Sequence, residues 1–96
     1  MHTIEHDSQT QRFTMPVEGH HCVLDYELEG TVMTITHTRV PDALAGRGLA
    51  GTLTRHVLEF AQGRQWQVVP QCSYVAAYIV RHPEYRNLLQ TPEVFV

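Results

Sequence analysis

The 96-residue sequence contains no run of like charge. Its ten acidic and seven basic side chains are scattered to a formal charge of −3, which leaves no electrostatic footprint for nucleic acid. No apolar stretch approaches the roughly 20 residues that span a bilayer, and no basic-then-apolar segment of the secretory kind opens the chain. Both absences point away from a membrane and to a cytoplasmic location. Cysteine is scarce: Cys22 and Cys72 lie far apart and form no CxxC pair, which argues against a disulfide scaffold or a zinc ribbon and for reduced thiols. Repeats, linkers and low-complexity segments are missing too, and 96 residues with 43% hydrophobic content suit one core and one domain. Histidine is the exception to this sparseness. Full protonation of the seven histidines would move the formal charge from −3 to +4, so behaviour should change on the acid side of neutral.

Residues 1–10 are polar, with Ile4 their only bulky apolar side chain apart from Met1, and are expected to be a flexible, loosely attached start. The domain is expected over 11–96. Phe13 to Val17 is a short apolar run closed by the turn signal Glu18-Gly19. Cys22, Leu24, Tyr26 and Leu28 then alternate as one face of a half-buried strand. After Glu29-Gly30, the β-branched segment Thr31 to Val40 predicts a third antiparallel strand, with Met33, Ile35 and His37 on a common face. Pro41 stops it. Leu49, Leu53, Val57 and Ala61 recur at helical spacing over Leu49 to Gln62, and Gly63 suits the C-terminal cap. Trp66 to Val69 predicts a short buried strand ended by Pro70. Ser73 can cap a second helix, Tyr74 to about Arg81, with a further short helix from Pro83. The order β-β-β-α-β-α predicts a single α/β domain with a mixed sheet and a right-handed crossover.

The segment Ala45-Gly46-Arg47-Gly48-Leu49-Ala50 runs from a loop straight into the first helix. Unsatisfied amides and the positive end of the helix dipole meet an anion at such a point, and glycine lets backbone approach a pyrophosphate closely. Read alone, the same glycines also fit a sharp turn with no ligand. Cys72 stands between a strand end and a helix start, where a thiol's pKa can fall, although a small buried filler would fit there as well. His37 can serve as a base or simply occupy a sheet face. Tyr74 and Tyr78, spaced i, i+4, can present hydroxyls to a ligand or pack on the sheet. Neighbours His20 and His21 point to opposite strand faces and lack further donors at workable spacing, so no metal site is expected.

His37-Thr38-Arg39-Val40-Pro41, the glycine loop, Pro70-Gln71-Cys72-Ser73-Tyr74 and Arg81-His82-Pro83-Glu84-Tyr85 together resemble the short branch of the GNAT superfamily of N-acetyltransferases, over roughly residues 11–90. The superfamily signature is Gln or Arg, two residues, Gly, one residue, then Gly or Ala. Gly48 and Ala50 match its last two positions, whereas Ala45 departs from the first, and Arg47 can supply positive charge two residues on. The resemblance implies a minimal acyltransferase fold that binds acetyl-CoA or CoA through Val40, Gly46, Arg47, Gly48, Leu49 and Ala50, with Tyr78 on the second helix. It implies Cys72 and His37 as the catalytic pair, and as acceptor a small amine or a protein or peptide amine. A non-catalytic CoA or acyl-CoA binding module, and a domain that keeps the fold without the cofactor, are the alternatives.

Overall fold

Alternation of apolar and polar residues builds the sheet. The computed structural model describes residues 2–90, so the last six residues of the expected 11–96 domain lie outside the described residues. Strands β1 (Glu5–Asp7), β2 (Arg12–Val17), β3 (His20–Glu29) and β4 (Val32–Arg39) pair antiparallel in sequence order, and β5 (Gln67–Pro70) adds parallel to β4. Phe13 and Met15 on β2, Cys22, Leu24 and Tyr26 on β3, and Met33 and Ile35 on β4 are buried on one face. Intervening residues such as Thr14, Val23, Thr34 and Val69 are only half-buried. One face is therefore packed and the other open, as the clean alternation requires.

Helix α1 (Leu49–Gly63) makes the β4–β5 crossover and buries Leu49, Leu53, Val57, Leu58 and Ala61, the spacing of one helical face. Fully burying one such aliphatic side chain contributes about 1.5–3 kcal/mol. Gly63 is the last helical residue and not the cap; the left-handed turn falls on Gln65, at φ 61°. Helix α2 (Ser73–Arg81) inserts Val75, Tyr78 and Ile79 into the same core. A 3-10 segment, Pro83–Leu88, follows it with His82 at its N-cap. The order β-β-β-α-β-α is present with one strand added in front. Among the described residues no helix is long and apolar enough to cross a membrane.

That added strand corrects the expectation for residues 1–10. His6 of β1 lies cross-strand from Phe13 and stacks on its ring with centroids 4.1 Å apart and planes 1° from parallel. It also meets the edge of Phe60 at 4.8 Å, and its Nε2 is 2.5 Å from the Tyr26 hydroxyl. Burial, then the nearby Arg64 charge, holds the His6 pKa below its ordinary value of 6.5. The neutral ring can donate or accept in this hydrogen bond according to its tautomer, whereas the cation can only donate and must also be desolvated. The folded-state pKa lies below the unfolded one, so this contribution is fully present above pH 6.5 and is lost as pH falls through the folded-state value. Chemical unfolding across this range should show wild type losing stability toward acid more steeply than His6→Phe, which keeps the stacking without the titration.

Candidate active site

The parallel pairing of β4 with β5 stops early. It runs from Val32↔Gln67 to Ile35↔Pro70 and is extended by one bond from the Cys72 amide to the Ile35 carbonyl, 2.9 Å. Thr36 to Arg39 continue β4 with β3 on one side, and among the described residues no strand pairs with them on the other. The strands open at this point, and a length of the β4 backbone edge is left unpaired among the described residues.

A β-bulge at the same place changes which side chains face inward. Tyr26 pairs with Ile35 but Asp25 pairs with His37, so Thr36 is the extra residue. Its hydroxyl donates to the Asp25 carbonyl at 3.3 Å. An extra residue in a period-two strand exchanges the faces of everything beyond it. His37 is thereby turned to the open face, exposed and cross-strand from Asp25, and Thr38 is turned inward opposite Leu24. This corrects the expectation that His37 shares a face with Met33 and Ile35.

Thr38, and not His37, is the side chain recorded beside Cys72: the thiol donates to the Thr38 hydroxyl at 3.6 Å. Cys72 itself occupies the N-cap position of α2, one residue before the expected Ser73. Burial pushes its pKa up. The first-turn amides of Val75 and Tyr74, the Thr38 hydroxyl and the Thr38 backbone together outweigh that effect and leave the thiol below its ordinary value. Hydrogen bonds to the charged form and the helix N-terminus both favour a thiolate. Cys22 is fully buried, and burial raises its pKa.

The glycine loop lies past the end of β4. Gly46 has φ 83° and Gly48 has φ 72°, a backbone region that glycine enters without penalty. Gly48 is the N-cap of α1, no side chain caps the helix, and its first turn has no acidic residue. A Cβ placed on either glycine would meet nothing within 4 Å, so the space over the loop is open. Val40, Gly46, Gly48, Leu49 and Ala50 are brought together along an open groove of about 310 Å³. Leu44, Ala45 and Tyr74 complete it. The remaining two expected residues are placed otherwise. Tyr78 is buried behind Tyr74, ring centroids 6.3 Å apart, and stacks on His82 at 4.0 Å. Arg47 turns its guanidinium away to Glu18, with Nη1 to Oε2 at 2.6 Å. Tyr74 also lies against α1, its hydroxyl 3.3 Å from where a Cβ on Gly51 would stand. Helical spacing alone could not choose between the two tyrosines. Among the described residues, no group of three or more His, Cys, Asp or Glu is placed to hold a metal ion.

Comparison with known proteins places the family and the fold. A family model described as GCN5-related N-acetyl-transferase matches residues 12–88. Protein NATD1 of Mus musculus is 35% identical over 92 residues, covering 91% of this chain and 84% of its own length. Protein NATD1 of Homo sapiens is also 35% identical, with 91% and 81% covered. The solution structure of a GCN5-like protein from Staphylococcus aureus superposes with a TM-score of 0.73 at 21% identity, over 95% of this chain and 90% of that one; at that identity the likeness speaks for the fold. The glycine loop, the opened strand pair and the match across four fifths of the sequence make this chain a member of the GCN5-related N-acetyltransferase family.

Proposed function

We propose that the protein transfers an acetyl group from acetyl-CoA to an amine, with the cofactor's pyrophosphate over Gly46-Arg47-Gly48 and its thioester at the opening between β4 and β5. The observation that carries this reading is the alignment of three features: a helix N-terminus with no acidic residue in its first turn, a length of β4 edge that no strand among the described residues pairs with, and a thiol whose pKa is lowered. The α1 amides bind phosphate oxygens, and the free edge of β4 pairs with amides of an extended ligand.

In this reading Cys72 Sγ attacks the thioester carbonyl carbon and the CoA thiolate leaves. The amine nitrogen then attacks the acetylated Cys72, freeing its thiolate, and the amine's proton passes to a base. The helix amides and Thr38 are what activate Cys72, so His37 is not needed for that step. For His37 to take the proton from the amine, the amine must reach the acetylated Cys72 from the open face of β4.

Release of CoA from acetyl-CoA in the presence of a primary amine tests the proposal. His37→Ala should be slower by about a hundredfold. An unchanged rate in the variant assigns the proton to another group. One observation favours the alternative of a non-catalytic CoA or acyl-CoA binding module: the bulge sets His37 and Cys72 on opposite faces of β4. Saturable CoA binding with no amine-dependent release would decide for it.

A further inference from the structure

Arg47 lies in the middle of the glycine loop, yet its charge is already in use. Its Nη1 donates to Glu18 Oε2 at 2.6 Å, across 29 positions of sequence. Glu18 stands at the tip of the β2–β3 hairpin, with φ 51°, followed by Gly19 at φ 79°. Two successive left-handed residues form the tight hairpin turn whose twist matches the strands, so the carboxylate is carried at a set place beside the loop. The hairpin tip, the end of β4 and the start of α1 lie at one end of the sheet.

A guanidinium binds carboxylate and phosphate with the same planar donors. The pair makes a single recorded contact, and its side chains are 46% and 63% exposed. Such a pair is held weakly and exchanges readily. Resting on the reading of this loop as the cofactor's phosphate site, we propose that Glu18 is an internal competitor for that site. Its carboxylate holds Arg47 in the free protein, and a phosphate oxygen of coenzyme A displaces it on binding. Glu18 thereby lowers cofactor affinity in a chain that has alanine, at Ala45, where its family usually has a cationic or amide side chain.

The test is a calorimetric titration of CoA into wild type, Glu18→Gln, Arg47→Ala and the double variant at one ionic strength, with thermal melts to confirm each fold. Gln keeps the size of Glu18 and the same left-handed strain. Glu18→Gln should bind CoA about two- to fivefold more tightly, the release of one exposed ion pair. The gain should vanish in the Arg47→Ala background, where no guanidinium remains to be freed. Equal or weaker binding by Glu18→Gln overturns the proposal, since Glu18 would then be neutral or would orient Arg47 for the ligand. A gain that persists without Arg47 also overturns it, leaving plain repulsion of the phosphates. Absence of CoA binding in all four proteins, by contrast, removes the phosphate-site reading and this proposal with it.

Discussion

Gly48→Val should weaken CoA binding at least about tenfold while leaving a folded protein. Two effects act in the same direction. Gly48 sits at φ 72°, where an L-residue costs about 1–2 kcal/mol, and a β-branched one is worst placed to pay it. The variant relieves this strain by turning the loop away from the conformation that presents its amides. A Cβ at this position also projects into open space, which is the space the pyrophosphate would take, so the side chain excludes the ligand even where the loop holds its shape. A loss of about 1.4 kcal/mol already gives the tenfold. Gly48→Ala separates the contributions, because it keeps most of the strain and little of the bulk. Calorimetry on the three proteins, with thermal melts as the control for folding, reads the result. Equal affinity in Gly48→Val would take the loop out of the site.

Cys72→Ala should reduce acetyl transfer by at least about a hundredfold, on the scale of losing a catalytic group, and should abolish an acetyl adduct that wild type forms. Mass measurement is unusually clean here, since all seven basic residues are arginine. The chain therefore has no lysine amine to acetylate by chance. Brief incubation with acetyl-CoA, an acid quench and peptide masses should find one acetyl group on Cys72 and none on Cys22, whose burial keeps it protonated and out of reach. Thiol alkylation of the native protein should show the same preference, with Cys72 reacting below the pH of an ordinary thiol. Full turnover by Cys72→Ala would leave direct attack of the amine on the thioester as the mechanism. An adduct with no amine-dependent turnover would favour the binding module.

Those parts of the fold that rest on regular burial were legible in the residues. Cys22, Leu24 and Tyr26 announce the inward face of β3, and Leu49, Leu53, Val57 and Ala61 the inward face of α1, because burial repeats with the period of the element. The glycine loop was legible for a related reason: left-handed backbone at a helix start leaves glycine as its trace. Three features left no such trace. Strand β1 is Glu5-His6-Asp7, too short and polar to suggest a strand, and what orders it is the stacking of His6 on Phe13 and its bond to Tyr26, contacts supplied by distant sequence. The bulge at Thr36 sits in Thr-His-Thr-Arg, where both faces are polar, so a one-residue shift changes no apolar pattern. Its consequence is large nonetheless, since it substitutes Thr38 for His37 beside Cys72. The Glu18–Arg47 pair joins a hairpin tip to a helix start, and only the closed sheet brings them together.

Acetyl-CoA bound as proposed occupies the loop before α1 and the opening beside β4. Amide chemical shifts followed during titration with CoA test this placement most directly, because each backbone group reports its own place. Saturable shifts should concentrate at Gly46 to Ala50, along Thr36 to Val40, and at Cys72 and Tyr74, with β1 at the far edge of the sheet and Phe60 unmoved. Saturable shifts centred elsewhere, or none up to millimolar CoA, would contradict this placement.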